Sequence, residues 1–468
     1  MTYQETVEKL NDKLRVDASF DLIHRPVSAG GRRGTLYCVD GFTKDEVLEK
    51  MLEFLSKLPA EDVQGVTDAQ QFIARFITYV EVECTGDMDA VVLAVLSGAT
   101  ALVVEDLDRG IIIDCRTYPV RGVQEPESDR VMRGSRDGLV ETLVFNTALI
   151  RRRLRDPSLS FEIVKVGRIS STDVCMCYMN DRVDQKYLKK LRNRLQSITI
   201  PALTMGQESL AECLLRKQWY NPFPRVRYTE RPDCVAASVA EGGVALLVDN
   251  SPAAMLLPTS IFSFSQDTND YYFPPIVGTY LRLVRGIIFM ATLFITPVWY
   301  WLMRNPDKIP QALEFMRIKE PNGISLFVQL WLVELLIDAL KLASLNTPTS
   351  LSNALSLVGA LVFGEFAVEA GLFVPELLAY MAFVAIGSFT QPSHELTYAF
   401  KLFRMLFILL IWLFGGWGLL AGMAVMLLVL VTTKTVVGSK YLYPVVPFNG
   451  TALLRLLYRQ SISRFNAE

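Results

Sequence analysis

Histidine is nearly absent from this 468-residue chain, and its seven cysteines form no CxxC pair. The two histidines, His24 and His394, are far apart, so a zinc site would need other ligands, and the sequence clusters none. The odd number of cysteines argues against a disulfide framework and favours a reducing compartment. Cys175 and Cys177 share one face of a predicted strand, where two buried thiols are a simpler interpretation than a redox or metal pair.

The sequence also lacks the common catalytic and nucleotide-binding motifs GxxxxGK[ST], GxGxxG, HExxH and GxSxG. We therefore predict no catalytic residues, no cofactor and no metal. A sequence pI near 6.0 provides no broad basic surface, which argues against nucleic-acid binding. Residues 1–9 are polar and contain no apolar core or cleavage site. No signal peptide is predicted, and the N-terminal half is expected in the cytoplasm.

Charge is unevenly divided along the chain. Residues 1–275 carry 33 Lys and Arg against 39 Asp and Glu, a net charge of −6, whereas residues 276–468 carry 14 against 10, a net charge of +4. Hydrophobic residues make up 51% of the chain and charged residues 21%. This balance predicts a soluble, mildly acidic half followed by an apolar half, and it excludes a disordered chain or a small disulfide scaffold.

Alternating strand and helix patterns predict a mixed α/β fold in the N-terminal half. The expected strands are 35–39, 90–96, 99–104, 110–114, 161–166, 174–179 and 243–248. The expected helices are 43–58, 184–196 and 206–216. We predict two α/β subdomains, 1–157 and 158–265, followed by an α-helical multi-pass membrane domain with a short basic tail, 266–468.

Residues 115–157 are rich in arginine. Ser135 or Asp137 is expected to cap a helix that stops before Pro157. An anion could bind at 133–138, but an Arg–carboxylate network that docks two subdomains or subunits is the simpler interpretation. Its acids are predicted to be Glu125, Glu127, Asp129 and Glu141. The predicted members of the network are Arg121, Arg133, Arg136, Glu141, Arg151, Arg152, Arg153, Arg227, Glu230 and Arg231.

Uncharged runs predict the membrane spans. They cover residues 286–303, 342–364, 377–393 and 405–433. The last run is longer than one bilayer, and GGWG at 415–418 favours two short helices over one long tilted helix. Arg282 and Arg285 before the first run, and arginines in the C-terminal tail, predict that both chain ends are cytoplasmic. This orientation requires an even number of spans, and four full spans with additional broken or amphipathic pieces are expected. The aromatic segment 271–275 is expected at the membrane interface.

Ionisable residues inside the apolar half are candidates for an ion pathway, because charges at membrane depth are expensive. Glu334 and Asp338 share one face of the predicted helix 324–345. Glu365 and Glu369 flank a stripe of small residues that would let helices approach closely. The alternative is an interfacial helix pair with solvated acids. The pore-lining or gating candidates are Val358, Leu361, Val362, Glu365, Glu369, Glu334 and Asp338.

Three long segments resemble one known family. They are residues 133–143 (RGSRDGLVETL), 227–233 (RYTERPD) and 354–365 (ALSLVGALVFGE). In these segments, and from about residue 20 to the end, the chain resembles the spore germination receptor A-subunit family of endospore-forming bacteria. The resemblance implies a multi-pass protein of the inner spore membrane, or a cell membrane, with its N-terminal domain facing the spore core.

The resemblance also implies a function and partners. The implied partners are the lipid bilayer, other copies of the chain in a homo-pentamer, a second, small membrane protein, and other germination proteins. The expected function is an oligomeric ion channel subunit that promotes or amplifies ion release during germination. The alternative is a membrane-anchored sensor or scaffold that binds a ligand or partner through its soluble half and conducts nothing.

Overall fold

The structure is a computed structural model that describes residues 2–14, 16, 22–39, 43–116, 134–154, 156, 158–215, 219–346, 366–438 and 440–459. It divides into two compact units, residues 1–121 and 122–468. The first unit contains one β-sheet with helices. The second contains another sheet with helices, followed by a helical region. The predicted fold class, an α/β N-terminal part followed by an α-helical part, is confirmed.

The first sheet has five antiparallel strands in the order β1-β2-β4-β5-β3. The strands are β1 Leu22–Ala29, β2 Arg32–Val39, β3 Val82–Thr85, β4 Thr100–Val104 and β5 Gly110–Ile113. The helices of this unit are α1 Tyr3–Leu14, α2 Asp45–Lys57, α3 Ala60–Val63, α4 Ala69–Phe76 and α5 Met88–Leu96. Leu10 and Leu14 of α1 pack with Val91 and Val95 of α5 on one face, while α2 and α4 cover the other face.

The second sheet has five antiparallel strands in the order β6-β7-β9-β10-β8. The strands are β6 Leu159–Val166, β7 Thr172–Met179, β8 Arg227–Thr229, β9 Val244–Val248 and β10 Ala254–Leu257. The helices are α6 Leu143–Arg153, α7 Gln185–Gln196, α8 Gln207–Leu214 and α9 Pro232–Ala240. Helices α6 and α9 pack on one face of the sheet, and α7 and α8 pack on the other.

The two sheets share one connectivity. In each, a helix leads into two strands, then come the helices of one face, a single strand, a helix of the opposite face and two final strands. The strand order within each set of five is therefore identical. Helix α6 lies before residue 157, the predicted limit between the subdomains, yet it packs on the second sheet. It holds the position in the second set that α1 holds in the first.

The strand predicted at 90–96 is wrong, because these residues form α5. Their run of apolar side chains fits a buried strand or a buried helix equally well. The Asp87 side chain accepts a hydrogen bond from the Asp89 N–H and caps the helix N-terminus. Only one face of α5 is then buried, through Val91 and Val95.

The predicted helix start at Ser135 or Asp137 is also wrong. Helix α6 begins at Leu143, with Thr142 at the N-cap position. The Leu139 N–H donates to the Glu230 carbonyl, and the Asn146 side chain bonds both backbone groups of Val140. These contacts hold 139–142 as an extended lead-in, so the helix cannot begin earlier.

The rest of the second unit is helical. The helices are α10 Asn269–Tyr272, α11 Pro275–Arg304, α12 Leu326–Asn346, α13 Ala367–Glu369, α14 Pro375–Phe389, α15 His394–Phe414, α16 Gly416–Thr432 and α17 Gly450–Leu457. By length and composition, α11 and α15 could each cross a membrane, and α14 and α16 are shorter apolar helices. The predicted run 342–364 lies mostly outside the described residues.

A tight turn separates α15 from α16, as the GGWG segment predicts, so the single long helix is wrong. Gly415 ends α15 with φ of 62° and ψ of −140°, a conformation that favours glycine. The two helices then pack closely, because a Cβ on Gly418 would come within 2.0 Å of the Leu410 carbonyl oxygen.

A loop from the second sheet packs into the helical region. Phe223 is 3% exposed and stacks on Phe403 of α15, with ring centroids 5.2 Å apart. The Asn221 side chain donates to the Thr433 hydroxyl, and the Tyr441 hydroxyl donates to the Pro224 carbonyl. The sheet and the helices are therefore joined by packed side chains as well as by the chain itself.

Candidate functional site

Two helices of the apolar region, α12 and α15, bring charged side chains together at one place. Glu334 and Asp338 lie one turn apart on α12, on the shared face that the sequence predicts. Lys401 and Arg404 lie three residues apart on α15 and face them. Neither base is among the predicted site residues, although a Lys–x–x–Arg pair in a largely apolar helix indicates buried charge.

Both carboxylate oxygens of Glu334 pair with a base. Its side chain is 2% exposed, and its two carboxylate oxygens lie 2.6 Å from Arg404 Nε and 3.1 Å from Lys401 Nζ. Lys401 Nζ also lies 2.6 Å from Asp338 Oδ2 and donates to the Glu334 carbonyl. Arg404 donates onward to the Thr292 carbonyl of α11. We call these four charged residues the ion-pair cluster.

Lys341, one turn beyond Asp338, lies next to this cluster. Its ammonium group donates to the Ser388 hydroxyl of α14 at 3.3 Å and lies 4.9 Å from the Phe389 ring centroid. A small cavity of about 20 Å³ adjoins Lys341, Glu334, Lys401 and Arg404. This volume holds about one water molecule, so the site is closed to larger solutes in this conformation.

The remaining pore candidates separate into two groups. Val358, Leu361, Val362 and Glu365 lie outside the described residues. Glu369 ends α13 and is exposed, and no ion pair with it occurs among the residues that the structure describes. The acids of this region thus differ, because Glu334 and Asp338 are neutralised by bases whereas Glu369 faces outward.

The predicted arginine network is present in part, with different acids. Asp137 receives Arg152 at 2.7 Å and Arg153 at 2.6 Å, and Arg153 also donates to the Ser135 hydroxyl. Arg151 donates instead to the carbonyls of Asp156 and Leu159. The acids predicted at 125, 127 and 129, and the predicted members Arg121 and Arg133, lie outside the described residues.

Arg231 extends this network to the start of the helical region. Its side chain is 1% exposed, pairs with Asp233 at 2.6 Å and donates to the Ser135 carbonyl. The Tyr272 hydroxyl donates to the same Asp233. Burial alone would raise the pKa of Asp233, but the hydrogen bond and charge of Arg231 outweigh it and hold the pKa below its usual value. Asp137 and Asp233 are the acids of this network, and neither is among its predicted members.

The other predicted members lie around this centre. Arg227 donates to the Gln266 carbonyl, and Arg136 is exposed. Glu230 and Glu141 accept backbone hydrogen bonds through their carbonyl groups, from Leu139 and Asn250 respectively. The network therefore contacts the second sheet, α6 and the segment before α11, all within the second unit.

The cysteines of β7 are buried thiols, as expected for a strand. Cys175 and Cys177 are both free and fully buried beneath α6 and α9. Burial raises the pKa of Cys175 to about 12 and that of Cys177 further. In the part of the chain that the structure describes, no three His, Cys, Asp or Glu side chains are grouped to hold a metal ion.

Comparisons with known proteins give the family. The Bacillus/Clostridium GerA spore germination protein family matches residues 8–468. Stage V sporulation protein AF of Bacillus subtilis (strain 168) is 36% identical over 97% of this chain and 91% of its own. Spore germination protein GerLA of Bacillus cereus is 30% identical over 95% and 90%.

Two further matches are more distant. Uncharacterized membrane protein YfkQ of Bacillus subtilis (strain 168) is 27% identical over 95% of this chain and 86% of its own. The crystal structure of the N-terminal domain of the A subunit of the Bacillus megaterium spore germinant receptor GerK3 matches at 22% identity, with a TM-score of 0.23, over 54% of this chain and 92% of that domain. The family match spans nearly the whole sequence, and the chain belongs to the GerA family of spore germination proteins.

Proposed function

We propose that this germination protein is an oligomeric, ion-conducting subunit of a spore membrane that promotes ion release during germination. The observation that carries the proposal is the set of acids in the apolar helical region. Ionisable side chains at membrane depth are retained where they pair with one another or face a water-filled path. Glu334 and Asp338 meet the first condition, and the outward-facing Glu369 meets the second in an oligomer.

This division assigns different roles to the candidates. Glu369, with Val358, Leu361, Val362 and Glu365, lines the path when copies of the chain surround an axis. The ion-pair cluster instead holds α12 and α15 against each other, because each carboxylate oxygen of Glu334 pairs with a base of α15. Gating then moves α11, whose Arg282 and Arg285 are tied to the segment that follows the second sheet.

The membrane placement has two supports. Helices α11 and α15 have the length and composition of spans, and one relative is named a membrane protein. The proposal places both chain ends and the two sheets on the cytoplasmic, spore-core side, since Arg282 and Arg285 precede the first uncharged run. Its partners are copies of itself, a small membrane protein and other germination proteins.

The test is ion flux from liposomes that contain the purified full chain. We expect wild-type flux, a flux altered by Glu369→Gln and by Val362→Ala, and no change with Glu320→Gln, an exposed acid of the loop before α12. Unchanged flux in the first two variants would show that Glu369 and Val362 do not line the path. A folded, oligomeric chain that conducts nothing, alone or with a partner, would favour the sensor or scaffold function.

A further inference from the structure

Charged side chains are concentrated where α11 begins. Asp270 is completely buried and receives two arginines of α11. Arg282 Nε lies 3.2 Å from one carboxylate oxygen, and Arg285 lies 2.9 Å and 3.0 Å from the two oxygens. Arg285 also pairs with Asp267 at 3.4 Å. The two acids of this junction are therefore engaged by α11.

Arg282 retains one donor that these acids do not use. Its side chain is 7% exposed, and its Nη1 donates at 3.4 Å to the carbonyls of Arg455 and Leu456 at the end of α17. Its Nη2 is buried, and no hydrogen-bond acceptor for it occurs among the described residues. A buried guanidinium donor without an acceptor costs free energy of folding. An anion that accepts from Arg282 Nη2 would remove this cost.

Arg459, which also lies near the Tyr271 ring, presents a second such donor. It donates to the backbone carbonyls of Tyr271 and Phe273, while its Nε is buried without an acceptor among the described residues. The guanidinium carbons of Arg282 and Arg459 lie 4.9 Å and 5.9 Å from the centroid of the same Tyr271 ring. Two arginines, each with a buried donor that lacks an acceptor, thus lie near one aromatic side chain.

The local charge also favours an anion. Arg282, Arg285 and Arg459 contact this junction, whose acids are Asp267 and Asp270, so positive charge exceeds negative charge by one. Arginine forks match the oxygens of phosphate better than a point charge would. We define the junction site as Arg282, Arg459 and Tyr271.

The position of the junction site indicates the source of the phosphate. Arg285 immediately precedes the uncharged run 286–303 of α11. Helix α17, which Arg282 contacts, carries apolar side chains that are exposed, with Leu454 at 55% and Leu457 at 45%. A short helix with exposed apolar residues and arginines beside the start of a span is typical of the membrane surface.

We propose that the junction site binds the phosphate of an anionic phospholipid headgroup, with α17 lying in the same membrane surface. The inference rests on the membrane placement of α11 in the proposed function, and it adds a ligand and a site to it. Arg282 and Arg459 hold the phosphate oxygens, and Tyr271 holds the two guanidinium groups in place.

The test uses the full chain purified in detergent. Dioctanoyl phosphatidylglycerol, dioctanoyl phosphatidylcholine and inorganic phosphate are titrated separately, and bound lipid is counted by native mass spectrometry while the melting temperature is followed. We expect phosphatidylglycerol alone to bind and to raise the melting temperature. Arg459→Gln should weaken its binding about fivefold, the effect expected of one basic residue at an anionic surface.

Further variants keep the inference falsifiable. Arg282→Lys retains the charge beside Asp270 but loses the fork, so the variant should fold and should weaken phosphatidylglycerol binding. The control Arg317→Gln, which removes an exposed partner of Glu314, should not. Equal binding of phosphatidylcholine, equal protection by inorganic phosphate, or variants indistinguishable from the control would each overturn the inference.

The outcome is separable from that of the proposed function. Flux from wild-type liposomes, with no preference for phosphatidylglycerol in the titration, would overturn only the lipid site. Selective phosphatidylglycerol binding by a chain that never conducts would overturn only the ion-conducting role.

Discussion

At the scale of single residues, the buried charges of the ion-pair cluster are tolerable because each has a specific partner. An ionised carboxylate buried without partners is expensive, and the penalty is offset only when hydrogen bonds satisfy its lone pairs. Glu334 meets this condition through Arg404 and Lys401. Removing one member therefore harms stability more than the pair itself contributes, since the other charges stay buried.

Glu334→Gln should lower the stability of the helical region by about 3–5 kcal/mol, the usual cost of breaking a buried pair. The matched control is Glu314→Gln, which breaks the exposed pair with Arg317 and should cost under about 1 kcal/mol. Thermal unfolding of the full chain in detergent measures both. Equal melting temperatures for the two variants would contradict the structural role of the ion-pair cluster.

Thiol reactivity should separate the cysteines. Cys213 is exposed, whereas Cys175 and Cys177 are buried with pKa values raised by desolvation. Because the thiolate is the reactive form, iodoacetamide at pH 8 should label Cys213 first and leave the β7 pair unlabelled until the protein unfolds. Peptide mass spectrometry reads the sites, and early labelling of Cys175 would show that the second sheet opens in the native state.

Glu162 of β6 should make the second sheet sensitive to acid. Its hydrogen bond with Arg192, and the charge of that side chain, lower the pKa of Glu162 despite partial burial. A lowered folded pKa means that the stabilisation is present above the ordinary Glu value, about 4.3, and is lost as pH falls through the folded value. Hydrogen exchange of β6 should therefore differ between wild type and Glu162→Gln at pH 7, and the difference should shrink as pH falls below the ordinary Glu value. A constant difference would exclude this ion pair as the cause.

At the scale of elements, the close approach of α15 and α16 depends on glycine. A Cβ at Gly418 would meet backbone atoms of Leu410, which cannot yield as a flexible side chain can. Gly418→Ala should then cost about 1–3 kcal/mol. Gly286→Ala on α11 is the control, since a Cβ there has nothing within 4 Å. Detergent melting curves compare the two, and a neutral Gly418→Ala would mean that the helices can separate freely.

Local sequence patterns predicted helices and strands more accurately than they predicted tertiary contacts. β7 and β9 were recognisable as apolar runs, and GGWG predicted the break between two helices. β1 was missed because its sequence, LIHRPVSA, contains a proline and no regular alternation of apolar and polar residues, and most of the strand is exposed. The partners of Glu334 could not be predicted, because Lys401 and Arg404 lie about 70 residues away and meet it only after α12 and α15 pack.

At the scale of the whole chain, the second sheet and the helical region behave as one packed body within the second unit. Phe223 lies between Phe400 and Phe403 of α15 and near Tyr441. Val436, just beyond α16, is 1% exposed in the core of the second sheet. A movement of this sheet would therefore displace side chains that pack on α15 and on the end of α16.

Phe223→Ala should weaken that connection. Truncation of a buried phenylalanine costs about 3–5 kcal/mol, and hydrogen exchange should rise in α15 and in the segment around Tyr441. Trp219→Ala, at a side chain that is 96% exposed in the same loop, is the control and should change neither. Exchange mass spectrometry on the full chain measures both. If Phe223→Ala leaves α15 unchanged, the loop does not couple the two parts.

The identical strand order of the two sheets has an evolutionary consequence. Two consecutive segments with the same succession of helices and strands are what a tandem duplication of one ancestral segment leaves behind. On that history, Phe223 and the other side chains through which the second segment contacts the helices would be later additions to a shared framework. Each strand of the first sheet then has a topological counterpart in the second, so the two sheets can be compared strand by strand.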